Sequence, residues 1–242
     1  MRTFFVSFAL TAFALTTLLM SLSSCEKVTG KGDIVSQLRN LSGYTGIQLT
    51  IDGTVFFSSD TINYFEIRAQ QNIIDVMQTY IEGGDLVIRF KPGIHVGKHE
   101  PIQIFVAAPT INLLNISGSG DIFVTNPWSS YYMETNISGS GSISMDELTA
   151  NEFHATISGS GNIQATTGQT NYEYLNIGGS GSIDLLGVES DTCWADISGS
   201  GDITVLVNKL LDVTISGSGD VKYQGSPVII SHISGSGSII HI

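Results

Sequence analysis

Aromatic side chains at a constant spacing are the first candidates for chemistry in this sequence. His154, Tyr174 and Trp194 follow one another at intervals of 20 residues, and Tyr132 and Tyr172 occupy related positions. Aromatic rings bind sugar rings and protein surfaces, and tyrosine and tryptophan add a polar atom. We call these five residues the aromatic ladder. We expect them to form a flat binding platform for a sugar ring or a protein partner, unless another part of the molecule covers them.

Groups that could catalyse a reaction are scarce. Asp, Glu, Lys and Arg make up 13% of the 242 residues, whereas about 25% of the residues in a typical globular domain are charged. Hydrolysis of a glycoside needs two converging carboxyl groups, and charge is sparse at the repeated positions of this chain. We therefore expect no catalytic residue, no cofactor and no metal site.

A few isolated residues have a possible chemical role beside a structural one. Cys193 falls at an inward position and is expected to be a small core residue. Glu173 also falls at an inward position, and we expect a local bulge there. His95 and His99 lie with Glu100 in one loop, which is a weak metal candidate and is more simply an exposed loop.

Composition excludes two broad classes of protein. The net charge is −12, from 10 basic and 22 acidic residues, and the chain has no cluster of Lys or Arg. Nucleic-acid binding depends on such clusters, so we expect no nucleic-acid partner. The 27 glycines argue against a helical bundle.

The glycines are concentrated in a repeat. The unit Ile-Ser-Gly-Ser-Gly recurs at intervals of 18 to 21 residues, with one copy that reads Ile-Gly-Gly-Ser-Gly. A period near 20 with short strands and fixed turns is typical of a solenoid. The seven copies begin at Ile116, Ile137, Ile157, Ile177, Ile197, Ile215 and Ile233.

Hydrophobic residues alternate with polar ones on both sides of each copy. Apolar residues favour even offsets from the motif isoleucine, which is the period of a strand with one buried face. The aromatic ladder falls at odd offsets and should face outward. The sequence therefore predicts an all-β protein, a right-handed parallel β-helix with about seven Gly-Ser-Gly corners over residues 111–242.

Two physical reasons explain glycine at the corners. A tight corner needs backbone angles that glycine reaches cheaply, and stacked corners leave little room for a Cβ atom. Asp121, Asp202 and Asp220 follow three of the corners and superficially resemble calcium-binding repeats. The period of about 20 and the small number of carboxylates favour a solvated polar ladder that caps the corners over calcium.

The segment from residue 34 to 110 is expected to be a less regular β region. A short helix is expected within residues 72–78, and a loop over residues 93–101. Alternating stretches predict strands near residues 44–51, 54–58, 64–69, 78–82, 85–91 and 102–107.

The N-terminal segment predicts export. Residues 1–24 have the basic start and apolar run of a signal peptide, although a transmembrane anchor is an alternative. They end in Leu22-Ser23-Ser24 before Cys25, which resembles a bacterial lipobox, so Cys25 is the expected lipidation site. Residues 25–33 would then be the lipidated cysteine and a polar tether, and Cys193 has no cysteine left for an intramolecular disulfide.

The lipobox, the weakly repetitive β region and the Ile-Ser-Gly-Ser-Gly copies together resemble a known family. It is called putative auto-transporter adhesin head, or GIN domain, and the resemblance covers roughly residues 34–242. It implies a β-helical protein attached to the envelope of a Gram-negative bacterium. The family supplies no catalytic residues.

These observations predict a non-enzymatic, lipid-anchored cell-envelope protein, an adhesin or binding protein for a glycan or a protein partner. We expect an outer-membrane lipoprotein, on either the periplasmic or the outer face. A carbohydrate-active enzyme and a purely structural, self-assembling protein are the alternatives. A homodimer could form through the aromatic face or through the apolar end coil near Ile239–Ile242.

Overall fold

A computed structural model describes residues 26–125 and 129–242 of the chain. Strands account for 64% of the residues and helix for 2%, in a β-helix of about six turns preceded by a less regular part. This confirms the predicted all-β solenoid. The motif isoleucines line its core, and the first six of them are at most 1% exposed.

The N-terminal part contains nine strands and one helical turn. The short helix α1 begins one residue earlier than expected and ends at Ile74, before strand β6. The elements are β1 (Glu26–Val28), β2 (Ile34–Leu38), β3 (Gly46–Leu49), β4 (Thr54–Ser59), β5 (Tyr64–Gln70), α1 (Gln71–Ile74), β6 (Met77–Glu82), β7 (Asp85–Phe90), β8 (Ile94–Val96) and β9 (Gln103–Ala108).

The C-terminal part contains ten strands, and the longest of them run between successive corners. They are β10 (Leu113–Ile116), β11 (Asp121–Val124), β12 (Ser129–Ile137), β13 (Ser142–Ile157), β14 (Asn162–Ile177), β15 (Ser182–Ile197), β16 (Asp202–Ile215), β17 (Val221–Gln224), β18 (Val228–Ile233) and β19 (Ile239–His241).

The two segments expected as loop and tether contain a strand each. Strand β8 lies within the expected loop at residues 93–101, and it pairs in parallel with β1 in the expected tether. The loop prediction is therefore wrong for residues 94–96. The two short segments pair with each other, and parallel pairing satisfies backbone groups that neither segment could satisfy alone.

Each long strand bends twice, which gives a regular coil three sides. Within β13 every second residue is buried over three separate stretches, and a stretch ends at Met145, another begins at Leu148, and the last begins at Phe153. The bends coincide with breaks in the pairing register at residues 146 and 151. We call residues 142–145 and their equivalents the first side, 147–150 the second, and 152–157 the third.

The N-terminal strands stack out of chain order. Strand β3 pairs in parallel with both β7 and β10, and β4 pairs in parallel with both β9 and β11. Antiparallel strands then close this end of the molecule: β6 pairs with β7, β5 with β9, and β2 with β5. The coil made of β7 and β9 therefore lies below the coil made of β3 and β4.

The last coil is open by comparison. Strand β18 pairs with β16, and β19 pairs with β17, and no described strand pairs with the other edge of either. Ile233 is 45% exposed although the other six motif isoleucines are buried. This apolar edge has the character expected from the sequence for the end coil.

The corner glycines are required by close approach between coils. No glycine of the seven corners has a φ in the left-handed region, so the expected need for unusual backbone angles is wrong. A Cβ on Gly139 would overlap the carbonyl oxygen of Gly118, and the same overlap recurs up the stack. The corners also hydrogen bond to one another, since the N–H of Ser140 donates to Gly118 O at 3.1 Å.

Candidate functional site

Strands β12 to β15 bring the aromatic ladder together on the third side of neighbouring coils. His154 lies in register with Tyr174, and Tyr174 with Trp194. Glu134 and Asp212 occupy the same register position before and after them. Each odd position faces outward because its even neighbours enter the core.

The rings stack on one another along the solenoid axis. The ring centroids of His154 and Tyr174 are 4.4 Å apart, and those of Tyr174 and Trp194 are 4.7 Å apart with an interplanar angle of 6°. Tyr132 lies 5.0 Å from His154, and Tyr172 lies 6.3 Å from Trp194. The rings therefore cover one another's faces and direct their edges outward, which differs from the flat platform expected from the sequence.

Two tyrosines of the ladder are well exposed. Tyr172 is 41% exposed and Tyr174 is 37% exposed. Neither the N-terminal part nor another side of the solenoid covers them among the described residues. The aromatic ladder of this chain is thus accessible to a binding partner.

Carboxylates and amides hold one end of the ladder in place. The hydroxyl of Tyr132 donates to Glu134 Oε2 at 2.9 Å, and Asn136 Nδ2 donates to Glu134 Oε1 at 2.8 Å. Partial burial, followed by the bond to Glu134, raises the pKa of Tyr132 to about 12. His154 Nε2 lies 4.0 Å from Glu152 Oε2 and has no hydrogen-bond partner. Tyr132 is therefore a neutral hydrogen-bond donor over the physiological pH range.

A shallow trough of about 220 Å³ runs beside the ladder. Tyr174, Trp194, Asn176 and Asp196 are among the residues that line it. The arrangement offers aromatic edges next to amide and carboxylate groups. It can make contacts with a partner through both kinds of group.

The structure contains a second aromatic ladder that the sequence pattern did not reveal. The rings of Phe105, Phe56 and Phe123 stack on the first side of three neighbouring coils, with centroid distances of 5.2 and 5.6 Å. We call this set the phenylalanine ladder. These residues have no constant spacing in the chain, because β9, β4 and β11 stack out of order. Their outward positions in alternating strands were the available signal.

Arg68 covers the outer face of the phenylalanine ladder. Its guanidinium carbon lies 4.4 Å from the centroid of the Phe105 ring. Glu66 holds the guanidinium through two hydrogen bonds of 3.0 and 2.8 Å. The hydrogen bond from Arg68 is the largest cause that lowers the pKa of Glu66 to about 2. Ser36 also donates to this carboxylate.

Residues 43–227 match the model of the family described as putative auto-transporter adhesin, head GIN domain. The chain belongs to this family. The sequence resemblance is thereby confirmed for most of the solenoid and of the N-terminal part. No curated protein matches the chain.

Solved structures share the fold. A putative adhesin from Bacteroides fragilis is 21% identical with a TM-score of 0.84, over 89% of this chain and 100% of the other. A putative lipid binding protein from Parabacteroides distasonis is 24% identical with a TM-score of 0.77, over 90% and 100%. A putative adhesin from Parabacteroides merdae is 20% identical with a TM-score of 0.71, over 90% and 99%.

The corner aspartates of this GIN-domain protein cap the next coil. Asp121 Oδ1 accepts from the N–H of Ser142 at 2.9 Å, and Asp202 Oδ1 accepts from the N–H of Asp220 at 2.9 Å. Asp220 in turn accepts from Ser238 at 2.8 Å. This confirms the capping ladder expected from the sequence. Among the residues described, no three side chains of the types that bind metals come together.

Glu173 lies in the core, where a bulge was expected. It is fully buried, and it is in register with Phe153 and Cys193 with no break in the ladder, so the bulge prediction is wrong. Thr170 Oγ1 donates to Glu173 Oε1 at 3.1 Å, while Oε2 has no hydrogen-bond partner. Burial raises the pKa of this carboxyl to about 8, against smaller opposing effects of Thr170, Ser190 and Cys193. Glu173 is therefore mostly uncharged at neutral pH.

The remaining isolated candidates are placed in structural roles. Cys193 is buried, as expected, and burial followed by the Glu173 carboxyl raises the pKa of its thiol well above the ordinary value. A thiol in this state is a poor nucleophile. His99 Nε2 lies 3.0 Å from Asp52 Oδ2, and His95 belongs to strand β8 and does not join it.

The predicted signal peptide and Cys25 lie outside the described residues. Within residues 26–125 and 129–242, no helix is long and apolar enough to cross a membrane. Lipidation at Cys25 thus stays a prediction from the lipobox.

Proposed function

We propose that this GIN-domain protein is a non-enzymatic adhesin of the cell envelope that binds a protein partner through the aromatic ladder. Lipid attached to Cys25 would hold it at the outer membrane. An adhesin head acts at or beyond the cell surface, which agrees with the expected export signal. The exposure of Tyr172 and Tyr174 in a ladder of stacked rings is the observation that carries the proposal.

The orientation of the rings favours a protein partner over a sugar. A sugar ring binds by stacking on an aromatic face, but Tyr174 has His154 on one face and Trp194 on the other. Trp194, at the end of the ladder, has a face that no ring covers among the described residues, and the residue in register there is Asp212. Tyrosine and tryptophan edges with their polar atoms are typical of protein interfaces. They also lose little conformational entropy on binding here, because stacking already fixes the side chains.

Charge indicates the character of the partner. Glu134, Glu152, Asp196 and Asp212 flank the ladder within the same or neighbouring positions of the third side. No lysine or arginine of the described residues lies among them. A partner with basic residues at the rim of its contact surface would complement this field and associate faster at low salt.

Binding to cell surfaces tests the proposal. The labelled protein is titrated onto a panel of bacterial and animal cells that are untreated, treated with protease, or treated with periodate to oxidise glycans. We expect protease to remove the binding that the double variant Tyr172→Ala, Tyr174→Ala also removes. Tyr131→Ala is the matched control, since Tyr131 is a highly exposed tyrosine outside the ladder.

Three results would contradict the proposal. Loss of ladder-dependent binding after periodate alone would assign the ladder to a glycan. Equal binding by the double variant and the wild type would remove the ladder from the interface. Turnover of any member of a polysaccharide panel by the purified protein would favour the alternative of a carbohydrate-active enzyme.

A further inference from the structure

A groove of about 420 Å³ lies on the first side of the solenoid, away from the aromatic ladder. Its volume lies within the range of about 300–1,000 Å³ that is common for small-molecule sites. Strands β11, β13, β14 and β15 line it with outward-facing residues. We call it the polar groove. Its main lining residues are Asp121, Phe123, Ser144, Asn162, Gln164 and Asp184.

One wall of the polar groove is an aromatic face without a neighbour. Arg68 covers Phe105, and Phe56 lies between Phe105 and Phe123. The next residue in register after Phe123 is Ser144, which is too small to cover a ring. The phenylalanine ladder therefore ends with the free face of Phe123 directed along the groove.

Polar groups along the groove are held in fixed orientations. Gln164 Nε2 donates to Ser144 Oγ at 3.2 Å, and Asn162 Oδ1 accepts from Ser182 Oγ at 2.8 Å. Asp121 and Asp184 each use one carboxylate oxygen for a backbone N–H. Gln164 Oε1, Asn162 Nδ2 and the second oxygens of both aspartates are left to bind a ligand.

Charge and spacing restrict the ligand class. No cationic side chain lines the groove, so a phosphate or another anion would be repelled by the two carboxylates with no positive charge to offset them. Asp121 and Asp184 are three coils apart, which is roughly 14 Å along the solenoid axis at a coil spacing of about 4.8 Å, so they cannot share one metal ion. A neutral ligand with many hydroxyl groups and an apolar face fits both features.

We propose that the polar groove binds a neutral oligosaccharide. The C–H face of one sugar ring stacks on the free face of Phe123. The hydroxyl groups of the sugar donate to Asp121, Asp184 and Gln164, and Asn162 donates to a sugar oxygen. This site is separate from the aromatic ladder and does not depend on the protein partner proposed for it.

Saturation-transfer NMR on the purified protein tests this site. The probes are neutral oligosaccharides of glucose, mannose, xylose and N-acetylglucosamine, with acidic oligosaccharides in parallel. We expect at least one neutral probe to bind, with transfer to the C–H protons of one ring. Phe123→Ala should weaken that binding at least tenfold.

Ser144→Phe leaves Phe123 in place but blocks access to its free face. The added ring would extend the phenylalanine ladder, cover the face of Phe123 and abolish binding while the melting temperature stays at or above that of the wild type. Tyr174→Ala, in the aromatic ladder, should bind the sugar as the wild type does. The proposal is overturned if no neutral probe binds, if only acidic probes bind, or if Phe123→Ala and Ser144→Phe both bind normally.

Discussion

Glu173 and Tyr174 are neighbours in the chain and face opposite surfaces of the same strand. Glu173 enters the core, where its charge would have no solvent and one of its oxygens has no hydrogen-bond partner. Tyr174 faces outward and stacks between His154 and Trp194. Residues one coil apart stack on one another in the same way on both surfaces. In the core this stacking determines whether the protein folds, and on the outer surface it determines which groups a partner meets.

The largest effect on stability is expected at one corner, where two adjacent glycines have different surroundings. Gly179→Ala would drive a Cβ atom into the carbonyl oxygen of Gly159, whereas a Cβ on Gly178 would have Ser198 Oγ as its nearest neighbour at 3.8 Å. We expect Gly179→Ala to cost at least about 5 kcal/mol or to prevent folding, because backbone on both sides cannot yield. Urea unfolding followed by circular dichroism measures the free energy of unfolding.

Gly178→Ala is the matched control for that variant. It adds the same methyl group one residue away, at a position that is serine in the other corner copies. We expect its free energy of unfolding to lie within about 0.5 kcal/mol of the wild-type value. Equal destabilisation by both variants would show that the corners depend on glycine flexibility rather than on close approach.

The second contrast is the pH dependence caused by Glu173. Its pKa is raised from 4.5 to about 8 in the folded state. Between these values the unfolded state loses the proton while the folded state keeps it, so stability falls as pH rises. Glu173→Gln should remove a loss on the order of 5 kcal/mol between pH 4.5 and pH 9. The difference in unfolding free energy between variant and wild type, measured across this range, isolates Glu173 from the other acids.

A flat difference between these two proteins across the pH range would contradict a buried, neutral Glu173. Glu173→Met offers a further check, because it replaces the carboxyl with an apolar side chain of similar length between Phe153 and Cys193. We expect Glu173→Met to be more stable than the wild type at pH 9, because methionine places no charge in the core at that pH.

The sequence predicts inner and outer surfaces with unequal success. A constant interval of 20 residues is enough to align His154, Tyr174 and Trp194, because equal intervals place residues at equal heights on successive coils. The same arithmetic places Glu173 and Cys193 inside. It says nothing of χ angles, and so it could not distinguish a flat platform from rings that stack face to face.

Constant spacing in the sequence does not predict how the strands of the N-terminal part stack, and the reason is physical. Phe105 follows Phe56 in the chain but lies below it in the stack, since antiparallel strands β5 and β6 intervene before the chain returns to β7 and β9. Long-range pairing decides that order, and no local pattern encodes it. The phenylalanine ladder and the polar groove beside it could therefore be found only from the structure.

On the outer surface, a smaller effect measures the stack itself. Tyr174 and Trp194 have nearly parallel rings at 4.7 Å. A double-mutant cycle with Tyr174→Leu and Trp194→Leu should give a coupling of about 0.5–1.5 kcal/mol in the free energy of unfolding. A coupling near zero would mean that the rings separate in solution and expose their faces, which would restore a sugar-binding platform on the third side.

An effect of similar size is expected at the corner aspartates. Asp220 Oδ1 accepts from the N–H of Ser238 in the open last coil. Asp220→Ala should cost about 1 kcal/mol in the free energy of unfolding through loss of this cap, while Asp220→Asn keeps an acceptor oxygen and should cost less.

Thermal melts in millimolar calcium, compared with melts in a chelator, should give the same melting temperature for the wild type. Each of these corner carboxylates already accepts one backbone N–H, and among the described residues no cage of oxygens surrounds it. A rise in melting temperature with calcium that Asp220→Asn abolishes would instead show that the corners bind the metal.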